Sequence, residues 1–279
     1  MAISEPAVRT VFFISDHSGV TAETMGHSLL SQFEGISFKA VTLPFISTPE
    51  KAQEALQRIN ATAAAEGRAP IIFSTLVRDA ERTLVKGANG LFLDFFDAFL
   101  APLESELQQR SSHALGRAHG MIDMAQYMTR IDATNFALAN DDGGHGAEFE
   151  RADVVLIGVS RTGKTPTCLY LALQYGVYAA NYPLTDEDLE TGQLPAPLRA
   201  CPQKLFGLTI EPERLQQIRE VRRPGSRYAS TQQVQYELRE ADRLYERFGV
   251  PHTDTTHCSV EEISSRVLQL TGVPRRLRP

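Results

Sequence analysis

The sequence contains little that would suggest a secreted, zinc-binding or membrane protein. Its three cysteines, Cys168, Cys201 and Cys258, are widely spaced among 279 residues and never form a C-x-x-C pair. A disulfide framework and a zinc site are therefore not indicated, and we expect the cysteines to behave as small buried apolar residues. No apolar run reaches the roughly 18 residues of a membrane helix, and residues 1–10 are too polar for a signal peptide. These absences predict a cytoplasmic protein.

The chain also lacks an excess of positive charge. Its formal net charge is −6, with 28 basic and 34 acidic residues. This balance argues against sequence-independent binding to nucleic acid, so we expect neither a nucleic-acid partner nor a membrane partner. Apolar residues make up 42% of the chain, which is enough for one large α/β domain or two smaller ones.

What the sequence does contain is the phosphate-binding pattern G-x-x-x-x-G-K-[ST], placed directly after an apolar strand. The two glycines allow the backbone to curl, so that successive N–H groups can point at a phosphate. The alternative is a glycine-rich turn between a strand and a helix that carries a surface lysine. The residues that we predict to bind a nucleotide are Gly158, Val159, Ser160, Arg161, Thr162, Gly163, Lys164 and Thr165.

Three side chains of this loop have predicted chemical roles. Lys164 would neutralise a β- or γ-phosphate, and Arg161 would hold an equatorial phosphate oxygen as charge shifts during transfer. The Thr165 hydroxyl would bind Mg²⁺ at the start of a helix whose N-terminus favours an anion. Glu211 and Asp16, which each follow a predicted strand, are the candidates for a carboxylate that completes the magnesium site.

The order of apolar and polar segments predicts an α/β fold with two domains. Strands at residues 10–15, 38–46 and 70–77 alternate with helices at 21–33 and 49–66, which is the βαβ rhythm of a Rossmann-like parallel sheet. Helices are also expected at 94–109 and 121–138. The Gly- and Asp-rich residues 140–146 predict a flexible joint, so we divide the chain into an N-terminal α/β domain, 1–148, and a kinase-like phosphate-loop domain, 149–279.

Several segments of the second domain have two interpretations. Residues 185–202 show little periodicity and predict a mobile lid or binding loop. The helix at 231–248 is amphipathic and suits either a core or a dimer interface. Four arginines surround the Pro-Gly-Ser turn at 224–226 and form either a solvated helix end or a docking site for an acidic or phosphorylated partner. They are Arg219, Arg222, Arg223 and Arg227.

Acidic residues in two turns are ambiguous as well. Asp16 lies in the turn Ser-Asp-His-Ser-Gly, where it could orient a nucleophile or cap the following helix. Asp141 and Asp142 lie in the predicted joint, where adjacent aspartates are more often solvated turn residues. The companion motifs N-K-x-D, H-R-D and D-F-G are missing, which excludes common GTPases and ordinary protein kinases.

With these motifs placed, the chain resembles the bacterial phosphoenolpyruvate synthase regulatory proteins, relatives of the pyruvate, phosphate dikinase regulatory proteins. The resemblance covers nearly the whole chain, and its phosphate loop, G-V-S-R-T-x-K-T-P, is more restrictive than the general pattern. It rests on VFFISDHSGVTAETMGHSLLSQF, VTLPF, ALANDDG, GVSRTGKTPTCLYLA, AANYPL, KLFGLTIEPERLQQIRE, SRYAS and SVEEIS.

The resemblance implies a bifunctional serine/threonine kinase and phosphorylase. Such proteins use ADP as phosphoryl donor to inactivate phosphoenolpyruvate synthase on a threonine, and inorganic phosphate to remove that group as pyrophosphate. It also implies Mg²⁺ as cofactor and a homodimer, with phosphoenolpyruvate synthase favoured over pyruvate, phosphate dikinase as target. Within this scheme Asp16 or Asp142 would accept the threonine proton. A small-metabolite kinase and a non-catalytic nucleotide sensor are the alternatives.

Overall fold

The computed structural model of the protein describes residues 8–111, 124–143 and 148–277. The chain divides into two compact units, Met1–Met121 and Ile122–Pro279. Each unit contains a four-stranded sheet whose strands all pair in parallel. Because parallel strands need crossover connections, helices lie between successive strands in both units. The predicted α/β fold with two parallel-sheet domains is confirmed.

The sheet of the first unit has the strand order β2-β1-β3-β4. Its central strand carries the sequence RTVFFI, and the last five of these residues are buried, as expected for a strand covered on both faces. The elements are β1 (Arg9–Ile14), α1 (Val20–Leu30), β2 (Phe38–Leu43), α2 (Pro49–Glu66), β3 (Ile71–Ser74), α3 (Asp79–Lys86), β4 (Leu91–Asp94) and α4 (Phe95–Leu107).

The sheet of the second unit has the equivalent order β6-β5-β7-β8. The strand that enters the phosphate loop is central and fully buried, so the loop leaves the middle of the sheet at its carboxyl edge. The elements are α5 (Met124–Ala139), β5 (Val154–Gly158), α6 (Lys164–Tyr175), β6 (Ala179–Pro183), α7 (Asp186–Thr191), β7 (Leu205–Thr209), α8 (Pro212–Arg222), α9 (Thr231–Phe248), β8 (His252–Asp254) and α10 (Val260–Thr271).

The two faces of this second sheet bury separate apolar clusters. Val155 and Ile157 contribute to one cluster, together with the apolar face of α9, and Val154 and Leu156 contribute to the other. Alternate residues of β5 therefore point to opposite sides, as the strand geometry requires. From the sequence, the helix α9 suited either a core or a dimer interface. Its apolar face, which includes Leu238, packs in the core of the unit.

The unit division differs from the sequence-based boundary between residues 148 and 149. The helix α5, which lies before that boundary, contributes Ala133 and Ala137 to the same apolar cluster as Leu171 of α6. It therefore belongs to the second compact unit. Residues 144–146 of the expected joint lie outside the described residues.

Residues 185–202, for which we predicted a mobile lid or binding loop, contain short helices and buried side chains. The segment begins with α7, whose cap residue Thr185 accepts a hydrogen bond from the Asp188 N–H while the Asp188 carboxylate accepts one from the Thr185 N–H. Leu189, Leu194 and Leu198 are buried in the core of the unit. Because these leucines are separated by prolines and short 3₁₀ turns, they show no single helical or strand period in the sequence.

Three other short elements, α3, β4 and β8, were not predicted. The strands β4 and β8 have four and three residues, which is too few to establish an alternating pattern. By contrast, the S-x-x-E pattern of Ser259 and Glu262 is recognisable in the sequence, and these residues form a capping box at the start of α10. Cys168 and Cys201 are buried as expected, whereas Cys258 is partly exposed. Within the described ranges, no helix combines the length and apolar character needed to cross a membrane.

Candidate active site

The phosphate loop begins where two strands approach each other closely. A Cβ atom on Gly158 would lie 2.6 Å from the Leu208 carbonyl oxygen of the adjacent strand, so only glycine fits at this position. The buried Tyr245 hydroxyl lies 3.2 Å from the Ile157 carbonyl and 3.3 Å from that of Leu208. The base of the loop is therefore fixed by the sheet and by α9 together.

The loop itself contains two residues in the left-handed conformation. Gly163 has φ 91°, as its lack of a side chain permits, but Arg161 has φ 79°, which is uncommon for a residue with a Cβ atom. Backbone nests that bind anions contain such residues. Thr162 is buried and donates to the Val159 carbonyl at 3.1 Å, while the Thr255 hydroxyl donates to the Thr162 carbonyl at 3.3 Å. These contacts hold the unusual backbone in place.

The side chain of Lys164 lies under the loop. Its Nζ donates hydrogen bonds of 2.8 Å to the carbonyl oxygens of both Gly158 and Val159. An ammonium group has three N–H donors, so these two bonds leave a third for a phosphate oxygen. Burial lowers the pKa of Lys164 to about 8, while the negative charge of Asp142 opposes that shift. The lysine is thus still cationic near pH 7.

Thr165 is joined to an acidic residue from the end of α5. Its hydroxyl donates to a carboxylate oxygen of Asp141 at 2.9 Å. The buried Asn181 on β6 donates from its side-chain amide to the same oxygen, and its own amide oxygen accepts the Asp142 N–H at 3.0 Å. One asparagine therefore positions both aspartates beside the phosphate loop.

Asp142 has the left-handed conformation, with φ 53° and ψ 29°, and its side chain is exposed. It lines a cavity of about 560 Å³ together with loop residues. The cavity is rich in basic side chains: Arg161, Lys164, Arg222 and Arg223 line it, and Asp142 is the one acidic residue among the described residues that do so. Such a cavity favours an anionic ligand and keeps one carboxylate close to it.

A buried arginine connects this cavity wall to α8 and α9. The Arg219 guanidinium donates to the Ser160 carbonyl at 3.1 Å, to the Tyr228 carbonyl at 3.1 Å and to the Glu237 carboxylate at 2.6 Å. It also lies over the Tyr228 ring, 4.2 Å from the ring centroid, and the Tyr228 hydroxyl is 2.8 Å from the Ser160 hydroxyl. The arginine thus fixes the outer half of the loop.

The comparison with known families agrees with this geometry. The sequence profile described as "Kinase/pyrophosphorylase" matches residues 11–268. The chain belongs to the kinase/pyrophosphorylase family. Membership supports a phosphotransfer activity, and it confirms the family resemblance based on the sequence motifs.

Several relatives of the chain have the provisional name phosphoenolpyruvate synthase regulatory protein. One from Stutzerimonas stutzeri strain A1501 is 53% identical over 270 residues, which cover 97% of this chain and 99% of the relative. One from Pseudomonas fluorescens strain Pf0-1 is 52% identical with the same coverage. One from Pseudomonas aeruginosa strain LESB58 is also 52% identical, over 97% of this chain and 98% of its own.

One of the predicted site residues, Glu211, lies outside the cavity around Lys164. Glu211 is exposed at the start of α8, where its N–H donates to the Thr256 hydroxyl at 2.8 Å. The carboxylate next to Thr165 is instead that of Asp141. No group of three or more His, Cys, Asp or Glu side chains that could hold a metal ion occurs within the ranges that the structure describes.

Asp16 belongs to the first compact unit, where it joins the ends of two strands. One carboxylate oxygen lies 3.1 Å from Nδ1 of His17, and the other accepts the Val77 N–H at 3.3 Å. The helix α1 has Gly19 at its N-cap and no side-chain cap, so Asp16 does not cap it. A catalytic role for Asp16 stays a prediction, because its surroundings here are those of its own unit.

Sequence reasoning missed three residues of the site in this family member. Asp141 was interpreted mainly as a solvated turn residue, and Asn181 and Tyr228 were not singled out. The Asn in AANYP is a polar residue in an otherwise apolar strand, which was an available signal for a buried hydrogen-bonding role. Arg219 was grouped with the neighbouring arginines, because nothing in the local sequence indicates that its side chain is buried.

Proposed function

We propose that the chain regulates phosphoenolpyruvate synthase by phosphorylating a threonine with ADP and removing the group with inorganic phosphate. The observation that carries the proposal is the position of Asp142 in one cavity with Lys164 and Arg161. Phosphoryl transfer uses a proton acceptor and cations that bind the phosphate group. Asp142 can serve as the acceptor, and Lys164 and Arg161 as the cations. The names of the relatives support phosphoenolpyruvate synthase as the target.

In the forward direction the threonine oxygen attacks the β-phosphorus of ADP. The bond between that phosphorus and the oxygen bridging it to the α-phosphate breaks, and AMP leaves with the electron pair. Asp142 accepts the proton of the threonine hydroxyl. Lys164, the loop N–H groups and Arg161 stabilise the charge on the transferred group.

In the reverse direction an oxygen of inorganic phosphate attacks the phosphorus of the phosphothreonine. The bond to the threonine oxygen breaks, pyrophosphate forms, and protonated Asp142 returns a proton to the threonine oxygen. One carboxylate can serve both directions because it acts as base in the first and as acid in the second.

The residues near Thr165 fit Mg²⁺. The Thr165 hydroxyl donates its hydrogen to Asp141, which leaves the oxygen lone pairs for a cation. Magnesium is usually held by one or two protein groups and completes its shell with phosphate oxygens and water, so this small donor set is adequate. When bound, the ion would neutralise phosphate charge, and Thr165 and Asp141 are the residues that would hold it.

The test is direct labelling of the target. We would incubate the full-length protein with Mg²⁺, phosphoenolpyruvate synthase and ADP labelled in its β-phosphate, and seek acid-stable label on a threonine. The expected result is label that added phosphate releases as pyrophosphate, and none with Lys164→Ala. Transfer to a small molecule without the synthase would indicate a metabolite kinase, and nucleotide binding without transfer would indicate a sensor.

The same material tests the predicted homodimer. Sedimentation of the full-length chain at micromolar concentration should give a species of twice the monomer mass, and a monomer at all concentrations would reject that part of the proposal.

A further inference from the structure

The end of α8 carries two arginines toward the phosphate-loop cavity. Arg222 is the last residue of α8, one turn after Arg219, and Arg223 is the C-cap residue, with the non-helical φ −141° and ψ 79°. Arg219 anchors this end of the helix, because its guanidinium donates to the Ser160 carbonyl of the loop. Arg222 and Arg223 follow one turn later and line the cavity.

Neither arginine is neutralised by a neighbouring acid. Arg222 and Arg223 are exposed, and in the described part of the chain neither forms an ion pair. Together with Arg161 and Lys164 they give the cavity four cationic groups against the single carboxylate of Asp142. This is more positive charge than one bound phosphate group requires.

In the proposed function the loop backbone and Lys164 bind the β-phosphate of ADP or, in the reverse direction, inorganic phosphate. Both reactions of the proposed function bring two phosphate groups together, either within ADP or when inorganic phosphate meets the phosphothreonine. Arginine is well suited to the second, because its planar N–H groups pair with phosphate oxygens in a bidentate manner.

We propose that Arg222 and Arg223 form a second phosphate subsite that faces the loop, so that the cavity holds two adjacent phosphate groups. The inference rests on the proposed function for the identity of its ligands and on the cavity alone for its existence. It separates the four arginines near residues 224–226 into different roles: Arg219 fixes the loop, Arg222 and Arg223 bind phosphate, and Arg227 lines a second cavity of about 250 Å³.

The competing explanation is that these arginines only stabilise the helix terminus. A cation in the last turn interacts favourably with the helix dipole, whether or not it binds a ligand. Arg214 supplies a control on the same helix, because it is exposed and does not line the cavity. Thermal unfolding of each variant reports any loss from the helix terminus separately from ligand binding.

The experiment compares pyrophosphate with phosphate by calorimetry on the full-length protein. Pyrophosphate should reach both subsites, whereas phosphate binds at the loop. In the double variant Arg222→Gln/Arg223→Gln we expect the pyrophosphate affinity to fall at least about tenfold and the phosphate affinity to change less than about threefold, as for lost charge-assisted bonds. Arg222→Lys/Arg223→Lys should recover part of the loss, and Arg214→Gln should leave both affinities unchanged.

Two results would overturn the subsite. Unchanged pyrophosphate affinity in the double Gln variant would show that the arginines make no contact, and equal loss of phosphate and pyrophosphate would show that they act on the loop itself. The KM values of the double Gln variant then identify the group that binds at the subsite. A raised KM for ADP would indicate its α-phosphate, and a raised KM for inorganic phosphate would indicate that ion. A raised KM for the phosphoprotein would indicate its phosphothreonine.

The binding assay needs no target protein. If the wild-type chain transfers no phosphate to the synthase but the double variant still loses pyrophosphate affinity, the subsite stands and the proposed function falls.

Discussion

The hydroxyl of Thr165 donates a 2.9 Å hydrogen bond to a carboxylate oxygen of Asp141. This bond fixes the direction of the hydroxyl, so its lone pairs would be available to the proposed Mg²⁺ ion. The same Asp141 oxygen accepts a hydrogen bond from Asn181, which limits how far the carboxylate can turn.

Replacing Asp141 should therefore weaken the response to magnesium. In Asp141→Asn we expect the Mg²⁺ concentration for half-maximal activity to rise about 10- to 100-fold, with a smaller change at saturating Mg²⁺, because groups that orient a metal ligand act mainly on affinity. A magnesium titration of the kinase reaction measures this. Asp132→Asn is the control, since Asp132 is an exposed residue of α5 away from the loop. An unchanged titration would remove Asp141 from the metal site.

The sequence was sufficient for the main elements and for the phosphate loop, because their signals are local. The strand β5, the loop and the C-cap at Gly176 are contiguous in the chain, and each has a recognisable residue pattern. The partners of the loop are not contiguous. Asn181 meets Asp141 because the turn after α5 packs against β6, where the Asn181 N–H donates to the Asn140 carbonyl at 3.2 Å. Asn181 is near the loop because β6 lies beside β5, which depends on the order of strands in the folded sheet.

The short helices and buried leucines of residues 185–202 were not predicted, for a related reason. The leucines contact the core one at a time, between prolines, so the segment is packed without being periodic. The prediction of Glu211 as a magnesium ligand was based on its position directly after a strand. Several residues follow strands in a parallel sheet, and only the contacts in the folded protein show which of them lie near the loop.

Asp142 should be needed for proton transfer and not for nucleotide binding. In Asp142→Asn we expect kcat to fall about 10²- to 10⁴-fold in both directions, which is the usual contribution of a general acid or base. The Kd for ADP should change by less than about threefold, because Asp142 is proposed to act on the threonine proton and not to bind the nucleotide. Loss of its negative charge removes a repulsion toward the anionic ligand and so does not weaken binding. Steady-state kinetics and calorimetry measure the two quantities. A variant with normal kcat would transfer the role of base to another group.

Lys164 should make the stability of the ligand-free protein depend on pH. Its folded pKa of about 8 lies below the ordinary value of 10.5, so between these pH values the unfolded chain binds more protons than the folded one. Stability must then rise with pH across that window. Relative to Lys164→Met, which cannot titrate, the wild-type free energy of unfolding should increase by up to about 3 kcal/mol between pH 8 and pH 10.5.

Urea unfolding of both proteins at pH 7.5, 9 and 10 measures this difference. The comparison with Lys164→Met removes the contribution of all other titrating groups, which the two proteins share. Parallel curves for the two proteins across the three pH values would mean that the lysine is not desolvated.

Variants of the buried ion pair between Arg219 and Glu237 should change stability and phosphate affinity independently. Glu237→Ala leaves the arginine charge buried and unpaired, and we expect it to cost about 3–5 kcal/mol of stability. The double variant Arg219→Met/Glu237→Leu should recover most of that loss, because apolar side chains can replace a buried ion pair. Phosphate affinity should be low in the double variant despite its restored stability, since Arg219→Met removes the bond to the Ser160 carbonyl.

Calorimetric phosphate titration and urea unfolding of the three proteins provide the measurements. A phosphate affinity of the double variant equal to that of the wild type would show that the loop does not need Arg219 to keep its shape.

Asn181 also limits how this site can change during evolution. The side-chain NH₂ group of Asn181 donates to Asp141, and its side-chain oxygen accepts the Asp142 N–H. A substitution at position 181 should therefore disturb both aspartates at once, and with them the proposed magnesium and acid–base roles. Single changes at any of the three positions should therefore be eliminated by selection. Among functional descendants we expect the trio to be inherited as a block, while the exposed residues of α8 before Arg219 drift freely.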